Sequence, residues 1–415
     1  MTAHTFTILF VFALFASVLL QLWLALRQIN HVRRHRNAVP AEFAERITLE
    51  SHQRAASYTI AKTRFGMIGT LVEAIILLGF TLGGGIEWLT TLSTHWFSSP
   101  ILAGVSMIAL LAVINTLLTL PISWLSTFRI EAAYGFNQST PALWAADLLK
   151  TAAVAAVIGV PLLGAVLWLM ERMGANWWLY VWATWLAFSL LLMWIFPTWI
   201  APIFNKFEPL PDEGLRARIE NLLQRCGFTA SGIFMMDGSK RSSHGNAYFT
   251  GLGKTKRIVF FDTLLKQLDG DEIEAVLAHE LGHFKHRHIV KRMAWTFALM
   301  LGLLWLLGQL IHESWFYQGL GVHTQTTANA LTLFFMVMPV FTFLFGPVGS
   351  ILSRKHEYEA DAYAASQSSA GDLIQALVKL YRDNAATLTP DPLHSMFYDS
   401  HPPAALRIAA LQRLA

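Results

Sequence analysis

The sequence predicts a predominantly α-helical membrane protein, a seven-helix transmembrane bundle with a water-exposed domain on one side. Three observations lead there. Of 415 residues, 54% are hydrophobic and only 14% charged, whereas soluble domains carry about 25% charged residues. Seven stretches each offer the roughly 20 apolar residues a helical span requires. The charge collects in polar blocks, chiefly 27–65, 201–292 and 351–415. The apolar content excludes a disordered chain. A net charge of +4 gives no footing for a nucleic-acid partner. The single Cys226 excludes an internal disulfide framework and any multi-cysteine metal site.

The expected spans are 5–26, 66–86, 101–121, 151–170, 177–199, 293–313 and 330–350. The first is not read as a cleaved signal peptide. No Lys or Arg precedes it, and Arg27, Arg33, Arg34 and Arg36 follow it, the pattern of an N-out anchor. Residues 27–65 hold eight basic residues and read as a polar connector. With seven spans, 27–65, 122–150, 200–292 and 351–415 share one side. Of the 31 Lys and Arg, the opposite side holds only Arg172. Basic residues stay in the cytoplasm, so the N-terminus is expected outside and both large polar blocks inside. This gives a division into 1–200 (spans one to five with cytoplasmic connectors), 201–292, 293–350 (spans six and seven) and 351–415. Asp147 and Lys150 read as an interfacial pair. Glu73, near mid-span, motivates a water-accessible interior.

The chemistry lies in 271–288, DEIEAVLAHELGHFKHRH. Ile273, Val276, Leu277 and Leu281 recur at helical spacing with no proline. Within it His279 and His283 stand one turn apart, so both imidazoles leave the same face. Such a pair can hold one Zn²⁺, and the adjacent Glu280 can reach the attacking water as general base. His286 and His288 lie beyond the motif among Lys285, Arg287 and Lys291 and read as a basic helix end. The charges flanking the motif are too dense for bilayer depth, which places the site in water or in a cavity at the membrane surface. A catalytic zinc takes three protein ligands and an open position. The expected third is Glu357 in SRKHEYEADAYAAS, 353–366. Asp361, one turn on, would take the free ring N–H of a zinc histidine and fix its tautomer. Glu359 is the competing carboxylate, and lacks an acidic residue four positions later.

HELGH followed, one pair of spans later, by SRKHEYEADAYA resembles the type I CaaX prenyl protease family of membrane zinc endopeptidases. RIEAAYGFNQST at 129–140, IAPIFNKFEPLP at 200–211, DGSKRSSHGNAYFTGLGKTKRIVFFDTLL at 237–265 and SHPPAALRIAAL at 400–411 are similar to its other signatures. The resemblance implies seven membrane helices enclosing a chamber, capped by a thermolysin-like zinc peptidase domain with a small β-sheet. It implies one Zn²⁺ per chain, on His279, His283 and Glu357, with Glu280 as base. His401 and Arg407 match a histidine and an arginine near the scissile bond, where a donor aimed at the developing oxyanion lowers the barrier. Asn246, in HGNAYF, is implied in substrate positioning, beside an alternating segment that suits an edge strand pairing with an extended substrate. On residues alone, Asn246 could equally be a polar turn residue and Arg407 a solvated helix arginine.

The expected function is therefore hydrolysis of peptide bonds by an integral membrane zinc metalloendopeptidase. Its partners would be membrane lipid and a peptide or protein substrate, the family name implying a prenylated C-terminus. A bacterial inner membrane or the endoplasmic reticulum would house it. Two alternatives stand beside this reading: a quality-control protease of membrane proteins, and a zinc transporter or metal-binding channel. The transporter calls for metal ligands within several spans, and the spans hold no histidine except His312, at the edge of the sixth.

Overall fold

The computed structural model describes residues 1–250 and 256–414. Seven helical rods are long and apolar enough to cross a membrane. They begin with α1 (Ala3–His35) and α2 (Leu49–Phe80); α3 (Gly85–Trp96) is a short helix before α4 (Pro100–Leu125). Next come α5 (Pro141–Arg172), α6 (Trp177–Ile195) and its one-turn continuation α7 (Ala201–Phe204). Local chemistry sets the starts. Thr48, Ser99 and Thr140 each accept the amide three residues on, and Pro100 and Pro141 occupy the first helical position. A π-helical turn, Ser126–Glu131, prolongs α4, and another, Phe196–Ile200, joins α6 to α7.

The expected connector 27–65 is mostly helix. Apolarity ends at the membrane surface but helical hydrogen bonding does not, so α1 runs on to His35 and α2 begins at Leu49. The second span also stops earlier than expected, at Phe80, because Gly83, Gly84 and Gly85 break the rod. Gly84 takes φ +79°, a left-handed conformation that glycine reaches at no steric cost. The loop expected at 87–100 is largely α3, seated through Ile86 and Leu89.

The water-exposed domain starts with β1 (Phe207–Pro209), α8 (Glu213–Arg225), β2 (Gly232–Met236), β3 (Ala247–Thr250) and β4 (Arg257–Phe261). The sheet order is β1-β2-β4-β3, with β2 parallel to β4 and the other pairs antiparallel. β3 is thus an edge strand. Then follow α9 (Asp262–Gln267), α10 (Gly270–Lys285), α11 (His288–Leu310), α12 (Ser314–Gln318) and α13 (Thr327–Thr342). A single 3-10 turn, Phe343–Phe345, separates α13 from α14 (Gly346–Gln367). The chain closes with α15 (Ala370–Asp383), α16 (Pro392–Tyr398) and α17 (Ala404–Gln412).

Two large cores, with a small third cluster of Ala55, Tyr58, Phe136 and Ala385, hold the described residues. One packs the far ends of the spans, joining Phe6 and Phe10 of α1 to Met107, Leu167, Trp177, Leu307 and Leu333. The other joins Ile258, Phe260, Leu277 and Leu281 to Leu373, Leu377 and Ile408, so 201–292 and 351–415 share one interior. The spans bury little of their most apolar stretches: 6% in α2 and at most 28% in any of the seven. A solid bundle would bury its inner faces. These helices form a wall, closed at one end by the first core and capped at the other by the second. Glu73 is exposed on α2 and lines a cavity of about 520 Å³ with Lys62, Thr119 and Ser123.

Asp147 and Lys150, expected at the interface, take different partners. Arg241 of the capping domain grips Asp147 with Nε and Nη2 at 2.7 and 2.9 Å. Lys150 donates to the Ile203 carbonyl. These contacts fasten the cap to the span bases.

Candidate active site

The site is built where α10 crosses α14. An Asp269–Glu272 capping box starts α10: the Asp269 carboxylate accepts the Glu272 amide, and Glu272 accepts the Asp269 amide at 2.9 Å. Lys379 of α15 then holds Glu272 at 2.6 Å. Gly282 lets α14 approach. A Cβ there would lie 2.8 Å from Ala360 Cα, so only glycine fits between the two histidines.

That close approach brings three candidate ligands together. His279 Nε2 and His283 Nε2 are 3.3 Å apart, and the Glu357 carboxylate lies 3.5 Å from the first and 3.4 Å from the second. Among the described residues this is the one group of three that could hold a metal ion. Bonds of about 2.0–2.1 Å place tetrahedral ligand atoms about 3.3–3.4 Å apart, so the spacing suits a single Zn²⁺. A second observation agrees. Glu357 Oε2 is buried with no hydrogen bond among the described residues, held only at longer range by His279 Nε2 at 3.5 Å and Arg407 Nη1 at 3.6 Å, so a ligating position on it is open.

The supporting contacts set the ring orientations. Asp361 Oδ1 lies 2.8 Å from His279 Nδ1. It takes that ring proton, which leaves Nε2 as the nitrogen turned toward Glu357 and free to ligate once deprotonated. Arg407 is buried, and its Nε and Nη2 hold Asp361 at 2.8 and 2.6 Å. Arg407 Nη1 comes within 3.6 Å of Glu357 Oε2, and His401 Nε2 within 3.5 Å of Oε1. The solvated-arginine alternative is thus excluded, and the guanidinium serves Asp361 and Glu357 rather than open solvent. His401 sits in the loop before α17, as Pro402 and Pro403 require. Burial pulls the His279 imidazole down in the metal-free chain; its hydrogen bonds to Asp361 and Glu357 outweigh this and raise it to about 9.

His288 and Glu359 depart from the sequence expectation. The helix holding the motif ends at Lys285, and Arg287 takes φ +55°. The chain reverses there, so His288 is buried at the start of α11 rather than exposed at a basic helix end. His288 Nδ1 lies 3.0 Å from His283 Nδ1, and its Nε2 lies 2.8 Å from Glu359 Oε2. Glu359 therefore stands behind His283, two residues removed from the metal position. His356 stacks on His288 at 4.0 Å. The sequence signal was a histidine five residues past the motif and a second acid beside Glu357.

Glu280 is half-buried and opens onto two cavities. One, about 670 Å³, is lined by His283, His356, Trp295, Tyr248 and Phe249. The other, about 240 Å³, holds Asn246, Arg407, Leu377 and Asn384. His401 borders both. Asn246 is exposed just before β3, its carbonyl accepting the Phe261 amide at 3.0 Å and its side chain the Ala247 amide at 2.8 Å. The arrangement can cradle a cation beside a carboxylate base, with a strand edge alongside for a peptide.

Known proteins agree with this chemistry. Residues 28–206 match the family described as "CAAX prenyl protease N-terminal, five membrane helices", and residues 209–415 match peptidase family M48. The CAAX prenyl protease 1 of Saccharomyces cerevisiae is 34% identical over 90% of this chain and 88% of its own. The Homo sapiens CAAX prenyl protease 1 homolog is 31% identical over 97% of this chain and 96% of its own. The crystal structure of S. mikatae Ste24p superposes with a TM-score of 0.91 at 31% identity, covering 98% of both chains. None of this supports the quality-control or transporter alternatives. The chain belongs to the M48 peptidase family, alongside the CAAX prenyl proteases, and is a multi-pass membrane metallopeptidase.

Proposed function

We propose that this chain is a zinc endopeptidase that cuts an extended peptide beside β3, and that its substrates carry prenylated C-termini, as the names of its relatives suggest. The observation that carries the reading is the convergence of His279, His283 and Glu357 at 3.3–3.5 Å with Glu280 next to them. Those three would hold one Zn²⁺, and 201–292 with 351–415 would form the catalytic unit. Bound there, the ion supplies Lewis acidity to the scissile carbonyl and to the attacking water.

The chain's own residues do the rest. Glu280 takes the proton of the attacking water and returns it to the leaving amine. Asp361, held by Arg407, keeps His279 in the ligating tautomer. His401, on the rim of both cavities, donates to the developing oxyanion. Asn246 and the open edge of β3 align the substrate backbone. The cap faces the cytoplasm, by the basic residues of the inner segments.

The test is Glu280→Gln. Peptide hydrolysis is expected to disappear while bound zinc, read by elemental analysis, stays at one per chain. Full activity in that variant would sink the mechanism.

A further inference from the structure

The small cavity beside Glu280 has one polar side chain that the proposed mechanism leaves unused, Asn384. It stands at the C-terminal end of α15, on the cavity wall shared with Asn246, Glu280, His401 and Arg407. Its amide orientation is fixed by its partners. The backbone N–H of Gly245 reaches Asn384 Oδ1 at 3.1 Å. A backbone N–H can only donate, so the atom it meets is the carbonyl oxygen of the side chain. His244 Nδ1 lies 3.2 Å from the same oxygen and donates as well. Both calls on Asn384 therefore fall on Oδ1. Among the described residues no acceptor meets Nδ2, which leaves two N–H groups for the cavity.

The fold holds this residue firmly. Ala385 takes φ +45°, a left-handed conformation that costs a non-glycine residue. Such a turn persists only where its surroundings enforce it. Here Ala385 is buried against Ala55 and Tyr58 of α2 and Phe136 of the segment after α4. His244 stacks on Phe136 at 4.3 Å, and Glu131 lies 3.6 Å from its Nε2. Tyr58 donates to Glu131 at 2.7 Å. The bases of two membrane helices thus clamp one amide at the peptidase cavity. Gly245, which shares Asn384 Oδ1, is the residue just before Asn246. One carbonyl oxygen ties the two walls together.

We propose that Asn384 is a substrate-binding residue: Nδ2 donates to a backbone carbonyl of the extended substrate, beside the start of β3, with His244 and Glu131 as the positioning pair behind it. This rests on the peptidase reading above. Asn384 lines the same cavity as Asn246 and Ala247, at the start of β3, so a peptide strand paired with that edge passes within reach of its amide. A backbone contact of this kind binds ground state and transition state alike, so its loss raises KM and spares kcat.

The experiment compares Asn384→Asp with wild type on a peptide substrate in detergent. The aspartate keeps Oδ1 for Gly245 and His244 but has no N–H. KM is expected to rise about fivefold to tenfold, the loss of one neutral hydrogen bond, with kcat within about twofold and zinc content unchanged. Two further variants test the orientation without touching Asn384. His244→Ala is expected to raise KM, and His244→Asn, whose amide can reproduce the Nδ1 donor, to recover most of it. Wild-type KM in Asn384→Asp, or equal KM in His244→Ala and His244→Asn, overturns this proposal alone. A wild-type chain that cleaves no peptide overturns the peptidase reading, and this proposal with it.

Discussion

Asp361 carries two partners on one carboxylate, the His279 imidazole and the Arg407 guanidinium, with all three buried. Breaking such a set leaves a charge without compensation and typically costs about 3–5 kcal/mol. Asp361→Asn keeps the shape and one acceptor but loses the charge. Activity is expected to fall about 10–100-fold, with faster stripping by chelator. The same variant tests the pH dependence. In the metal-free chain His279 is raised to about 9, from about 6.5 unfolded. Its contribution is then complete below about pH 6.5 and lost as pH rises through about 9. The thermal midpoint of chelator-treated protein is expected to drop across that window, and Asp361→Asn to flatten the drop. Superimposable curves for the two proteins would remove Asp361 from the site. Glu359 makes a poor neutral control here, since it holds His288 behind His283.

The crossing of α10 and α14 decides whether the ligands meet. In an ordinary helix Gly282→Ala would gain about 1 kcal/mol in propensity. Here the added methyl meets Ala360 backbone at 2.8–3.0 Å. The two helices must part, and Glu357 moves away from both histidines. Gly282→Ala is expected to lose most of its zinc and activity while the membrane fraction still contains full-length protein; zinc at one per chain would refute it. The crossing also explains what the sequence made legible. His279, Glu280 and His283 share one helix, so their spacing is their geometry. Glu357 and Asp361 share another, and their four-residue separation put both carboxylates on the face that meets the histidines. His288 was hidden by the left-handed turn at Arg287. Its partner Glu359 lies 71 residues away, a contact no periodicity reveals. Asn384 and His244 were hidden likewise, being joined only when the end of α15 meets the loop before β3. Span boundaries missed for a different reason: hydropathy marks where lipid ends, whereas caps and glycines mark where helices end.

Orientation belongs to the whole molecule. All but one of the basic residues fall on the side of the cap, given seven crossings. Single cysteines placed within 314–329 of a Cys226-free chain are expected to react with an impermeant reagent from outside, and those within 36–48 are not. The reverse pattern would invert the topology. The hollow between the two cores was legible only as Glu73, one carboxylate at mid-span that needed water, since burial depends on which faces meet. The longest rod of the wall has a further consequence. From Thr327 to Gln367 it counts 41 residues, about 60 Å at 1.5 Å per residue, twice the hydrocarbon thickness of about 30 Å. Its outer half packs Ala330, Leu333, Phe334 and Val337 into the first core among the other spans, and its inner half carries Glu357 and Asp361 against α10. Lipid chain length acts on the first half through hydrophobic mismatch, which helices relieve by tilting. A rod interrupted only at Phe343–Phe345 passes that tilt to the carboxylates. Peptidase activity in vesicles of different acyl-chain length is therefore expected to differ, and equal activity across them would show that tilt of this rod does not reach the site.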